Sequence, residues 1–219
     1  MAILFDLDGT LLDTARDFYT ALNKLSLNLS GPKIAYNIVR NLVSDGTVGL
    51  VKLVSDLPED GKEFAAIKQR FLDYYRETEF KETKLFSEIA DILELIEQHA
   101  VPWGVVTNKS AWLTVPLMKN LHLTDRAACI VSGDTTAHAK PHPEPLLHAC
   151  KLINVNPVDC LYVGDAKRDI DAGNAAGMTT ITAMYGYIQD LPAARMWGAN
   201  YIVENTMELK QRIKTWLSR

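Results

Sequence analysis

Six short apolar runs, each ending on a polar residue or just before a loop, constrain most strongly what this chain can fold into. Ala2-Ile3-Leu4-Phe5 stops at Asp6, Trp103-Gly104-Val105-Val106 at Thr107, and Cys129-Ile130-Val131 at Ser132. Cys160-Leu161-Tyr162-Val163 stops at Gly164-Asp165, Thr179 to Ala183 before Tyr185-Gly186, and Tyr201-Ile202-Val203 at Glu204. None alternates strictly between apolar and polar, which is the pattern of strands covered on both faces. Between the runs, apolar residues recur three and four apart: Ile89, Leu93 and Ile96; Leu146, Leu147 and Cys150; Leu209, Ile213 and Leu217. Strands alternating with helices predict an α/β fold, a Rossmann-like parallel sheet flanked by helices. Gly177 reads as the stop of a helix over 169–176. Pro116 is expected to break or kink the helix that follows Ser110.

Residues 14–80 read differently. Ala15, Phe18, Leu22, Leu25 and Leu29 keep helical spacing, as do Ile34, Ile38 and Leu42, and Phe64, Ile67, Phe71 and Tyr75. Gly31-Pro32, Asp45-Gly46 and Leu57-Pro58 punctuate them. This predicts a helical insertion after the first strand. The length of 219 residues agrees, being more than one minimal domain and less than two. The expected division is an α/β core over 1–13 and 81–219, with a helical domain over 14–80.

Charge and cysteine usage narrow the function classes. The net charge is −4, so no basic excess points to nucleic acid or acidic membranes. No apolar run approaches the length that spans a bilayer. The start of the chain lacks a basic segment and a cleavage pattern, so no signal peptide is expected. Cys129, Cys150 and Cys160 are an odd number without metal-type spacing, which predicts idle thiols in a reducing cytoplasm.

In parallel sheets, ligands bind beyond the carboxyl ends of the strands. The residues just past the runs are Asp6 and Asp8, Thr107 and Asn108, Asp165 and Asp169, with Lys140 in a longer loop. Crowded carboxylates repel one another unless a cation intervenes, and hard oxygen ligands suit Mg²⁺. Lys140 can offset the remaining charge, and Thr107 and Asn108 can donate hydrogen bonds to phosphoryl oxygens. One carboxylate is then free to attack phosphorus.

Four segments carry a family resemblance. Phe5-Asp6-Leu7-Asp8-Gly9-Thr10-Leu11-Leu12, Val105-Val106-Thr107-Asn108, Lys140-Pro141-His142-Pro143 and Val163-Gly164-Asp165-Ala166-Lys167-Arg168-Asp169 resemble the four motifs of the haloacid dehalogenase superfamily, in the family's order. Each segment alone has a plain reading as a turn, a strand exit, a loop or a helix start; together, in sequence and at strand ends, they do not. The resemblance implies that Asp6 is a nucleophile forming an aspartyl-phosphate. It implies that Asp8 protonates the leaving alcohol and then serves as base toward water. It makes the Asp6 carboxylate, the Asp8 main-chain carbonyl and the Asp165 carboxylate Mg²⁺ ligands, and Asp169 a second acidic metal position. Thr107 and Lys140 would hold the phosphoryl oxygens.

The same resemblance makes residues 14–80 a mobile helical cap that favours small soluble phosphate esters over nucleic acid or membrane. The segment Arg40-Asn41-Leu42-Val43-Ser44-Asp45-Gly46 is the candidate specificity loop, with Arg40, Ser44 and Gly46 as substrate-binding residues. Arg40 suits a substrate carboxylate equally as well as a solvated helix face. Within the superfamily the chain is similar to the phosphoglycolate phosphatase-like group. The matches are Val39-Arg40 to Gly46, Trp103 to Lys109, Pro145-Leu146-Leu147 and Tyr185-Gly186-Tyr187-Ile188. Trp197-Gly198-Ala199 looks like the branch acting on N-acetylmuramic acid 6-phosphate. Asp45 and Ser110 depart from that group, which more often has glycine and proline there. A phosphomutase and a non-catalytic phosphate-binding module stand as the rival functions. His142 reads as an exposed loop histidine with substrate contact as a second role, His138 and His148 have no partner pattern, and Trp103 and Trp112 read as packing residues.

Overall fold

A computed structural model describes residues 1–219. It divides into two compact units, residues 1–12 with 85–219, and residues 13–84.

The larger unit is built on six strands: β1 (Ala2–Phe5), β2 (Trp103–Val106), β3 (Cys129–Val131), β4 (Cys160–Gly164), β5 (Thr179–Ala183) and β6 (Tyr201–Val203). They are the six apolar runs of the sequence, with β4 extended to Gly164. All pair in parallel, in the spatial order 3-2-1-4-5-6. That is the doubly wound arrangement, in which the chain reverses direction across the sheet at β1. The central strands are fully buried, because helices cover both faces. Ala2, Leu4, Val106, Val131, Leu146, Cys150 and Cys160 share one apolar cluster. All three cysteines are free and buried, which agrees with idle thiols.

Register brings the strand ends level. Phe5 pairs with Val105 on one side and Val163 on the other. The amide of Asp6 still donates to the Val163 carbonyl (2.8 Å), and that of Thr107 to the Val131 carbonyl (2.9 Å). Asp6, Thr107 and Asp165 therefore leave three strands at one edge of the sheet. The helix Lys167–Ala175 ends as expected: Gly177 takes φ +76°, a left-handed conformation that favours glycine.

Pro116 does not break its helix. The helix Ala111–Asn120 runs through it unbroken. Proline removes one N–H, the one that would reach the Trp112 carbonyl. Buried Leu113, Leu117 and Met118 anchor the helix on either side of that single loss.

The smaller unit is helical, with Ala15–Asn28, Tyr36–Leu42, Gly46–Val51 and Lys62–Glu77. Phe18 stacks on Tyr75 with ring centroids 4.0 Å apart, and Tyr75 meets Phe80 edge-on at 5.2 Å. The buried Asp17 carboxylate accepts from the Thr83 hydroxyl at 2.6 Å. The second helix starts later than its spacing suggests: Ile34 precedes it and Ile38 is exposed, while Val39 is the residue it buries. Asn23 explains the late start, since its side chain binds both the N–H (2.7 Å) and the carbonyl (3.3 Å) of Ile34 and holds that residue outside the helix. No helix is long and apolar enough to cross a membrane.

Candidate active site

The edge where β1, β2 and β4 end gathers the buried charged residues of the larger unit. Asp6 is buried, and its Oδ1 lies 2.7 Å from the Lys140 ammonium. The same Nζ reaches the Val106 carbonyl (2.8 Å), the Tyr162 hydroxyl (2.8 Å) and Asp169 Oδ1 (2.7 Å). Four oxygens therefore compete for three ammonium protons, and Lys140 is fixed from every side. Asp169, in the first turn of the helix Lys167–Ala175, also accepts from the Ala166 amide at 3.0 Å. Asp165 accepts from the Tyr187 amide (2.8 Å) and the Thr10 hydroxyl (3.3 Å).

One glycine-dependent approach lets this happen. Gly9 has φ +85°, and a Cβ there would overlap the Asp165 carboxylate. The turn after β1 can thus fold against Asp165 only without a side chain.

Electrostatics follow from burial. Burial pushes the Asp6 carboxyl up to about 6; Lys140 opposes the rise, and Asp169 and Asp8 add to it. Burial also works against the Lys140 ammonium, but Asp169 and Asp6 outweigh it and raise its pKa. Burial, with Asp169 and Asp6 beside it, pushes the Tyr162 phenol well above its usual range, so it serves as a neutral hydroxyl.

Asp6, Asp165 and Asp169 each offer a carboxylate oxygen within 4.8 Å of the others. Three carboxylates against one ammonium leave a net charge of −2 in a buried space. The donors are all hard oxygen atoms, which fits a divalent ion such as Mg²⁺.

Asp8 stands beside this cluster. Both its carboxylate oxygens accept from the Lys109 ammonium, at 2.9 and 3.0 Å. Thr107 is buried; its hydroxyl oxygen accepts from the Lys109 amide (3.2 Å), which leaves the hydroxyl proton to donate. The structure thus brings Asp6, Asp8, Thr107, Lys140, Asp165 and Asp169 together in one unit. Asn108 joins them through the backbone of Lys140. Its amide donates to the Lys140 carbonyl (2.9 Å) and accepts from the Lys140 amide (3.0 Å), so it braces the loop that presents Lys140. Arg40, Ser44 and Gly46 belong to the smaller unit: Arg40 is half-buried on Tyr36–Leu42, Ser44 is buried, and Gly46 begins the next helix with φ +77°.

Sequence reasoning gave no role to Lys109, Tyr162 or Thr10. Thr10 lies inside the first motif and Lys109 directly follows the second, and that adjacency was the available signal. Tyr162 sits in an apolar run, where its hydroxyl is indistinguishable from packing.

The fold and this constellation define a doubly wound α/β protein with a carboxylate-rich centre at its strand ends. The profile of haloacid dehalogenase-like hydrolases matches residues 3–183, and the chain belongs to that family. An N-acetylmuramic acid 6-phosphate phosphatase of Pseudomonas putida is 37% identical over 216 residues, covering 99% of this chain and 97% of its own. A phosphoglycolate phosphatase of Xylella fastidiosa is 36% identical over 217 residues, covering 99% and 93%. A crystal structure from Haemophilus somnus, titled a predicted phosphoglycolate phosphatase, superposes with a TM-score of 0.84 at 26% identity, covering 96% of each chain. The family makes the chain an enzyme, and these relatives are phosphatases, that is, phosphoric monoester hydrolases.

Proposed function

We propose that this enzyme hydrolyses a small soluble phosphate monoester in two steps through a phosphoryl group carried on Asp6. The observation that carries the reading is the buried Asp6 carboxylate at the end of β1, with Lys140 at 2.7 Å and Asp165 and Asp169 beside it.

In the first step an Asp6 carboxylate oxygen attacks phosphorus, the P–O bond to the alcohol breaks, and Asp8 gives the leaving oxygen a proton. In the second step Asp8 takes a proton from water as that water attacks phosphorus, the acyl-phosphate bond breaks, and Asp6 and inorganic phosphate are released. Asp8 ends as it began, so protons balance across the cycle. Lys140 and the Thr107 hydroxyl hold phosphoryl oxygens as charge shifts onto them. Asp6, Asp165, Asp169 and the Asp8 main-chain carbonyl would hold Mg²⁺, which when bound neutralises charge on the phosphoryl group and orients it for in-line displacement. Lys109 keeps Asp8 oriented between the two proton transfers.

Residues 14–80 act in this reading as a helical cap that selects the substrate through Arg40, Ser44 and Gly46. Phosphoglycolate and N-acetylmuramic acid 6-phosphate are the first candidates, because relatives bear those names across nearly the whole chain. A cytoplasmic setting agrees with three free thiols.

Phosphate release measured with Mg²⁺ against these two esters, hexose phosphates and nucleotides tests the reading. Release that chelation abolishes and Asp6→Asn eliminates is expected. No release from any ester, or activity surviving Asp6→Asn, overturns it. Isomerised phosphate ester in place of free phosphate reassigns the enzyme as a mutase.

A further inference from the structure

A second cluster of ligating side chains stands on the loop that presents Lys140. His138, His142 and Glu144 each offer one ligand atom within 4.8 Å of the other two. His138 and His142 stack with ring centroids 4.4 Å apart and planes 27° from parallel. His138 Nδ1 lies 2.7 Å from Glu144 Oε2, which also accepts the His138 backbone N–H at 3.0 Å. The Glu144 amide donates to His142 Nδ1 at 3.2 Å. None of these residues takes part in the chemistry proposed for Asp6.

We propose that His138, His142 and Glu144 form a surface site for a zinc-class divalent cation, separate from the carboxylate cluster. Three features of the loop carry this.

The first is the donor set. Two imidazoles and one carboxylate match the N/O preference of Zn²⁺, Ni²⁺ or Co²⁺, whereas Mg²⁺ prefers an all-oxygen set. The two clusters of this protein therefore sort metals by chemistry.

The second is geometry. A tetrahedral ion with ligands about 2.1 Å away needs ligand atoms about 3.4 Å apart. The ligand atoms lie within 4.8 Å of one another, and reaching that spacing takes only χ rotations by exposed side chains; His138 is 63% exposed and Glu144 37%. Water fills the remaining position, and the exposure supplies an entry path.

The third is backbone order. The Thr136 hydroxyl donates to the His138 carbonyl (2.8 Å), and the His142 amide to the Ala139 carbonyl (3.0 Å). Asn108 clamps Lys140 between the two histidines. Pro141 and Pro143 limit what is left. Little backbone entropy remains to be lost when the three ligands converge. The bound ion would tie together the two sides of Lys140.

The test is a calorimetric titration of the full protein with ZnCl₂ in saturating Mg²⁺. The wild type is expected to take up one equivalent more than the double variant His138→Ala/His142→Ala, and Glu144→Gln to weaken that equivalent at least tenfold. Circular dichroism melting checks that each variant folds, and His138→Gln and His142→Gln singly replace the double variant if it does not. Ni²⁺ should broaden the ring resonances of both histidines. Equal zinc stoichiometry and affinity in the wild type and the histidine variants overturns the proposal, as does a wild type that takes up no zinc.

Discussion

The side chain of Asn108 closes a two-hydrogen-bond clamp on the backbone of Lys140, through the Lys140 carbonyl at 2.9 Å and its amide at 3.0 Å. The second residue past β2 thereby braces the loop whose ammonium bridges Asp6 and Asp169. Asn108→Ala leaves two backbone groups without partners, a cost of about 1–3 kcal/mol. A lower melting midpoint and a fall in kcat of at least tenfold are expected, with Asn108→Asp intermediate because it keeps the acceptor. Unchanged kcat in Asn108→Ala would show that Lys140 needs no such brace.

Lys109 plays the matching part for Asp8. Its side chain is 5% exposed and that of Asp8 17%, and both carboxylate oxygens are engaged. Lys109→Met keeps the bulk and removes the charge. A drop in kcat of about 10–100-fold is expected, below the roughly 10²–10⁴-fold that general acid–base catalysis supplies in full. Steady-state kinetics with Mg²⁺ affinity measured alongside separates this from a metal defect: KM and Mg²⁺ affinity should hold while kcat falls.

Asp6 trades stability for function. Burial raises its carboxyl from an ordinary value near 3.8 to about 6. A group raised in the folded state contributes full stability below pH 3.8 and loses it as pH rises through about 6. The shift corresponds to about 3 kcal/mol against the folded, metal-free protein above that range. Asp6→Asn should therefore melt higher than the wild type at pH 7.5 in chelator, with the gap shrinking toward pH 4. Lys140 keeps Asp169 as a partner in that variant. A wild type more stable than Asp6→Asn at pH 7.5 without metal would contradict the burial account.

Asp165 is held by the Tyr187 amide and the Thr10 hydroxyl with its carboxylate facing the cluster. Asp165→Asn keeps one acceptor oxygen for the Tyr187 amide, can turn its NH2 to donate to the Thr10 hydroxyl, and removes one negative charge. The Mg²⁺ concentration giving half-maximal activity should rise at least tenfold. An unchanged Mg²⁺ requirement would remove Asp165 from the metal set.

The sheet was legible because buried parallel strands are short, apolar and bounded. Every run from Ala2-Ile3-Leu4-Phe5 to Tyr201-Ile202-Val203 became a strand. The gathering of polar residues was legible because a parallel sheet levels its strand ends, where Asp6, Thr107 and Asp165 stand. What stayed hidden depends on side-chain partners across long stretches of chain. Asn108 read as a phosphate donor, and nothing in the local sequence shows that its side chain also holds the backbone of Lys140, 32 residues away. Tyr162 looked like core, yet its hydroxyl sits among Lys140, Val106 and Asp169. Pro116 read as a break or a kink, and with its neighbours packed the helix is not broken by the lost hydrogen bond.

The claim that a phosphoryl group rides on Asp6 has a direct test. A substrate found in the ester screen, labelled in its phosphate, is mixed with enzyme and Mg²⁺ and acid-quenched within one turnover. Borohydride then reduces any acyl-phosphate before peptide mapping. The account predicts homoserine at position 6 and no label on protein from Asp6→Asn. Full phosphate release with no labelled enzyme at any quench time, or label on a residue other than Asp6, would contradict it.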